Sequence, residues 1–129
     1  MTRLLEFRAW DKIIKVMHDV YTIDLKKCYV RVPLSATLTR KIGFKDIVLM
    51  QYTGLKDKNG KKIFERDIIK PVGFASWIGV VRYSADTASY IIDDHDNDFL
   101  RESEVFLSQF SDGLEVLGNE FEDGEGLLR

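Results

Sequence analysis

Leu5, Phe7 and Ala9 alternate with Glu6, Arg8 and Trp10 near the start of the chain. A period of two predicts a half-buried strand. By parity Trp10 lies on the polar side of that strand, where it either caps the core or marks a contact surface. Asp11 and Lys12 suit a turn. Ile14, Val16 and His18 then alternate with Lys15, Met17 and Asp19, which predicts a return strand and a hairpin. Further on, Tyr21, Ile23 and Leu25 precede Tyr29, Val30 and Val32, β-branched and aromatic residues without helical spacing. Pro33 marks a strand end or an edge. Residues 34–45, with Ser35, Thr37, Thr39 and Gly43, read as a loop. The apolar run Ile47–Met50 predicts a buried strand, which Gln51–Leu55 carries toward a turn.

Asn59-Gly60 is the strongest turn signal in the chain. The pair suits a turn with two positive φ values and predicts a hairpin joining Tyr52–Leu55 to Ile63–Phe64. Strands are expected at Asp67–Ile69, Gly79–Tyr83 and Ala88–Ile92, separated by turn-rich segments at 71–76, 84–87 and 93–98. Short strands at intervals of about ten residues indicate a sandwich or small barrel. Residues 99–110 fit either a short amphipathic helix or a strand around Val105–Leu107, and periodicity does not choose between them. Leu114–Leu117 reads as the last strand, ended by Gly118-Asn119, and Glu120–Arg129 reads as a fraying tail. A small N-terminal β unit (1–45) and a barrel-like unit (46–119) then share one core, followed by the tail at 120–129.

Composition adds bounds. The 129 residues, 45% hydrophobic and 31% charged, suit one globular domain. Cys28 is the sole cysteine, so no internal disulfide forms, in keeping with a reducing compartment. The first residues resemble neither a signal peptide nor an anchor, and no apolar stretch reaches the roughly 20 residues a bilayer requires. The expectation is a cytoplasmic protein without a membrane partner. Charge is divided unevenly: residues 1–70 hold 16 Lys/Arg against 8 Asp/Glu, and residues 71–129 hold 3 against 13. Either the halves attract each other within the chain, or a basic surface is kept for a partner. A head-to-tail homo-oligomer would use the same attraction between chains.

Candidate chemistry is sparse. Asp57-Lys58-Asn59-Gly60 opens like a calcium loop, but Lys61, Lys62 and Ile68 occupy the positions of an oxygen ligand, a glycine and a bidentate glutamate. The acidic run Asp93-Asp94-His95-Asp96-Asn97-Asp98 offers cation ligands, yet it has no helical frame and no second histidine nearby. It reads as a solvated loop, and no metal ligand is assigned. Lys56, Lys58, Lys61, Lys62, Arg66 and Lys70 fall within fifteen residues, with Tyr52, Phe64 and Phe74 as stacking faces. That is the pattern of a weak nucleic-acid surface, or of a hairpin tip solvated by lysines. No nucleophile elbow, zinc motif, CxxC pair or nucleotide loop is present. Lys26 and Lys27 adjoin Cys28 and would favour its thiolate. A Cys28 pair with His18 or His95 is the one nucleophilic arrangement to look for. Trp77, like Trp10, serves packing or contact. No catalytic residue and no cofactor is assigned.

One pattern is specific. Phe7-Arg8-Ala9-Trp10-Asp11 and Met17 precede the long block Leu49-Met50-Gln51-Tyr52-Thr53-Gly54-Leu55-Lys56-Asp57-Lys58-Asn59-Gly60-Lys61. Ile63-Phe64-Glu65, Asp67-Ile68-Ile69 and Leu114-Glu115-Val116-Leu117-Gly118-Asn119 follow. Together they resemble the YopX family of bacterial phage and prophage proteins over nearly the whole chain. The resemblance implies a mainly β protein with an SH3-type small barrel in the C-terminal half. It leaves an N-terminal β-hairpin unit beside that barrel and room for one short helix. It implies no activity. The family commonly reads Glu-Gly-Asp where this chain has Glu65-Arg66-Asp67, and a positive φ there would cost arginine roughly 1–2 kcal/mol relative to glycine. The ending from Glu120 to Gly126 follows the family only loosely.

The expected function is that of a non-catalytic phage or prophage accessory protein that binds a host or phage protein. The alternative is a nucleic-acid-binding small barrel using the basic hairpin at 56–70.

Overall fold

The computed structural model describes residues 3–73, 77–93, 105–110 and 113–128. The chain is mainly β, and it divides into two units, Met1–Gln51 and Tyr52–Arg129.

In the first unit, β1 (Phe7–Asp11), β2 (Val16–Asp19) and the first half of β6 (Ile47–Lys56) form antiparallel pairs, with β1 in the middle. Strands β3 (Thr22–Asp24), β4 (Tyr29–Pro33) and β5 (Thr39–Gly43) make a separate antiparallel sheet in that order. Two turns of this unit share one device. Asp11 Oδ1 accepts the N–H groups of Ile13 and Ile14, and the turn leaves through Lys15 at φ +58°. Asp24 Oδ1 accepts those of Lys26 and Lys27, and that turn leaves through Cys28 at φ +57°. An aspartate that satisfies its own following amides suits such tight turns.

Ala9, Val30, Val32, Ile42 and Ile47 are buried in this unit, packed by Val20, Ile23, Phe44 and Leu49. Two expectations change here. Thr39–Gly43 is a strand and not loop, because Ile42 inserts into the core while Thr39 and Lys41 face solvent. Trp10 is not on an open polar face. Its cross-strand partners Met17 and Val48 flank it, and it is buried.

In the second unit, β6 continues to Lys56 and pairs with β7 (Lys62–Phe64). The hairpin stands where Asn59-Gly60 predicts it. Only Gly60 of that pair takes a positive φ (+80°), because the side chain of Asp57 closes the loop instead. Five strands follow in the spatial order β11-β10-β9-β8-β12: β8 (Asp67–Pro71), β9 (Gly79–Ser84), β10 (Ser89–Asp93), β11 (Val105–Phe106) and β12 (Leu114–Asn119). This sheet curls into a half-barrel, a form consistent with the SH3-type barrel that the resemblance implies. Ile63, Ile69, Val81, Ile92, Leu107 and Leu114 fill it, and Trp77 meets Phe110 edge-on at 5.6 Å. Each fully buried aliphatic contributes about 1.5–3 kcal/mol.

The 99–110 ambiguity resolves within the described part as the short strand β11 followed by a 3-10 turn, Leu107–Phe110. The tail expected to fray is instead a helix, α1 (Glu120–Leu127). Asn119 caps it by accepting the N–H groups of Phe121 and Glu122, and its amide donates to Glu122 Oε1. Asp123 Oδ2 in turn accepts the Asn119 N–H. This reciprocal cap, with Glu120, Glu122 and Asp123 in the first turn, offsets the low helix propensity of Gly124 and Gly126.

Candidate functional site

The basic hairpin is only partly a free surface. Lys58 forms an ion pair with Glu115 at 3.3 Å, and Arg66 bonds Glu120 Oε1 at 2.7 Å. Lys70 is the cross-strand partner of Glu115. Lys61 lies close enough to Asp57 to act on its carboxylate, and Lys62 leans over the Tyr52 ring at 5.6 Å. Lys56 is exposed and lies directly across from Lys62. Of the expected stacking residues, Tyr52 is buried, Phe64 is half-buried against it, and Phe74 lies outside the described residues. The charge division is therefore met in part inside this unit, where acids from residues 115 and 120 reach bases from residues 58 and 66.

Arg66 takes φ +70°, so this side chain occupies the conformation that favours glycine. Its surroundings hold it there. The Arg66 N–H donates to the Val81 carbonyl, its own carbonyl accepts from the Glu120 N–H, and its guanidinium pairs with the Glu120 carboxylate. Arg82 holds the second oxygen of Glu120 at 2.8 Å and Asp93 with its Nε. Burial raises the pKa of Glu120, but the Arg66 and Arg82 hydrogen bonds and charges outweigh it and hold the carboxyl below its ordinary value. Asp57 behaves alike. Burial raises it, but the N–H groups of Val116, Lys61 and Asn59 together with the Lys61 charge depress it further.

The acidic run at 93–98 lies outside the described residues apart from Asp93, which is engaged by Arg82. Among the described residues no three His, Cys, Asp or Glu side chains come together as a metal cage. Cys28 is exposed in the β3–β4 turn. His18 sits against Asp11, while the Cys28 thiol donates to the Leu25 carbonyl of its own turn, so each is engaged elsewhere. His95 lies outside the described residues.

The feature that sequence reading missed is one end of the first unit. Asp11 is wholly buried at the end of β1, and Arg40 lies near the start of β5. Asp11 Oδ2 meets Arg40 Nη1 at 3.1 Å and His18 Nε2 at 3.4 Å, while Oδ1 holds the β1–β2 turn. Burial raises the Asp11 pKa, but the N–H groups of Ile14 and Ile13, then His18 and Arg40, hold the carboxyl below its usual value. This one carboxylate fixes the β1–β2 and β4–β5 turns at the same end. The two turns and the start of β2 carry Ile13, Ile14, Val16, Leu34 and Leu38, each 43–67% exposed. Ser35 stiffens the second turn by accepting the N–H groups of Thr37 and Leu38. Lys12 and Lys15 are exposed in the first turn, and Lys12 Nζ donates to the Lys45 carbonyl. The turn signals were visible in sequence; the exposure was not, because Ile14 and Val16 read equally well as core positions.

No helix among the described residues is long and apolar enough to cross a membrane. Comparison with known proteins places the chain. The crystal structure of protein EF1440 from Enterococcus faecalis is 28% identical, with a TM-score of 0.60 over 98% of this chain and 99% of that one. No curated protein matches. The family model described as YopX protein matches residues 6–128, nearly the full length. The chain belongs to the YopX family.

Proposed function

We propose that the protein is a non-catalytic accessory protein of a phage or prophage, working in the bacterial cytoplasm by binding a host or phage protein. One observation carries this reading. Of the eleven large hydrophobic side chains exposed among the described residues, nine lie in the first unit, and five of those share its Asp11-held end. Five aliphatics exposed to this extent make an apolar area on the order of several hundred Å², the scale at which patches mark contact sites. Turns held by side-chain hydrogen bonds suit this role, since little backbone ordering is left to occur on binding.

The test is affinity capture from bacterial lysate, with nuclease present, using the wild-type chain beside Ile14→Glu/Leu38→Glu. The reading expects a stoichiometric protein band that survives moderate salt and is lost with the variant. A band retained by the variant, or recovery of nucleic acid alone when nuclease is left out, contradicts it.

A further inference from the structure

In the second unit Lys58, Arg66 and Arg82 pair with acids, whereas the first unit carries an excess of bases. The first unit holds ten Lys/Arg against five Asp/Glu. Four of those cations gather on and beside one face of the β3–β4–β5 sheet. Side chains alternate across a sheet, so cross-strand partners share a face. Ile23, Val30 and Ile42 are in register and face the core. The opposite face therefore carries Thr22, Arg31 and Lys41 in one row and Asp24, Tyr29 and Gly43 in the next.

Tyr29 lies among these cations, with Lys41 Nζ 4.2 Å and Arg31 Cζ 5.7 Å from its ring centroid. Lys26 and Lys27 stand exposed in the adjoining turn. The carboxylate of Asp24, the one acid in these rows, is already engaged by the amides of that turn. Among the described residues, Lys26, Lys27, Arg31 and Lys41 form no ion pair with a carboxylate. Tyr21, 63% exposed, leads into β3, and its N–H donates to the Arg31 carbonyl. An open depression beside the turn is lined by Thr22, Asp24, Lys26 and Tyr29 among others.

We propose that this face binds single-stranded nucleic acid, with Arg31, Lys41, Lys26 and Lys27 on the phosphates and Tyr29 as a stacking surface. The chemistry fits that ligand best. Unpaired cations around an aromatic ring on an exposed sheet are the elements that hold an unstacked strand. A duplex is disfavoured, because a sheet face, unlike a helix, projects little into a major groove. An acidic peptide would use the charges but would have no base to lay on the tyrosine. The site is separate from the aliphatic end, so each can fail alone.

The probe is a fluorescein-labelled oligothymidylate of about 15 nucleotides, followed by anisotropy against the full-length chain at low and raised salt. Saturable, salt-sensitive binding is expected. Arg31→Gln/Lys41→Gln should weaken it roughly tenfold or more and lower the salt slope by about 1.4, or about 0.7 for each phosphate no longer neutralised. Lys26→Gln/Lys27→Gln, confined to an exposed turn, should weaken binding several-fold without altering the fold. Arg31→Lys/Lys41→Arg should restore affinity to near wild type. Lys58→Gln/Lys61→Gln in the other unit should stay within about twofold of wild type. The proposal is overturned by the absence of saturable binding at low salt, or by loss confined to the Lys58/Lys61 variant. Equal or tighter binding of a duplex of the same length also overturns it, as does equally effective displacement by polyglutamate.

Discussion

Removing the Asp11 carboxylate should loosen both turns at the exposed end of the first unit. The side chain has four partners: the N–H groups of Ile13 (2.9 Å) and Ile14 (3.1 Å), His18 Nε2 (3.4 Å) and Arg40 Nη1 (3.1 Å). A fully buried ion pair broken on one side costs about 3–5 kcal/mol. Arg40 is over a third exposed and the two amides lie in an exposed turn, so water recovers part of that loss. At about 0.5–1.5 kcal/mol per hydrogen bond, Asp11→Ala should cost roughly 2–4 kcal/mol. Asp11→Asn keeps an oxygen for the amides but loses the charge and turns an NH2 toward Arg40, for roughly 1–2 kcal/mol.

The pH dependence separates loss of the charge from simple misfit. Asp11 has a lowered pKa in the folded chain, so its contribution is fully present above the unfolded value near 3.8. It is lost as pH falls through the lower folded value. The cost of Asp11→Asn in urea unfolding should therefore be largest near pH 7 and shrink below about pH 4. A cost that is the same at pH 7 and pH 2.5, or under about 0.5 kcal/mol at pH 7, would refute the reasoning.

Other outcomes follow from the second unit. Asp57→Ala removes the acceptor of three amides, including that of Val116 on β12, at 2.8–3.1 Å, and should cost about 3 kcal/mol, roughly a 10 °C fall in melting temperature. Arg66→Ala keeps the left-handed strain but loses a half-buried ion pair, so it should destabilise by about 1 kcal/mol. Arg66→Gly loses the same pair but relieves roughly 1 kcal/mol of strain, so it should lie near wild type, and a glycine variant less stable than the alanine one contradicts this. Gly118→Ala would drive a Cβ into the Asp123 carboxylate, whose Cγ stands only 2.6 Å away. It should free the Asn119 amide and cost about 1–3 kcal/mol by thermal unfolding.

Strand β1 was legible from its alternation, β4 from its β-branched and aromatic residues and β6 from its apolar run, although Trp10 and Ala9 are both buried on β1. Strand β5 was not, since its outward Thr39 and Lys41 follow a Ser/Thr-rich turn and only Ile42 marks its inner face. Helix α1 was hidden by Gly124 and Gly126, although Asn119 followed three residues later by Glu122 carried the cap signal. The bases of 56–70 were visible as a run, but Glu115 and Glu120, which pair with Lys58 and Arg66, arrive from more than fifty residues away. The aliphatic end was illegible for a related reason. Whether Ile13 or Leu38 faces water depends on which turns the Asp11–Arg40 pair draws together.

Amide hydrogen exchange on the captured complex, compared with the free chain, locates the surface that the partner covers. New protection is expected at residues 12–16 and 34–38, with exchange at 56–70 unchanged. Protection confined to 56–70, with both aliphatic turns exchanging as freely as in the free protein, would contradict it.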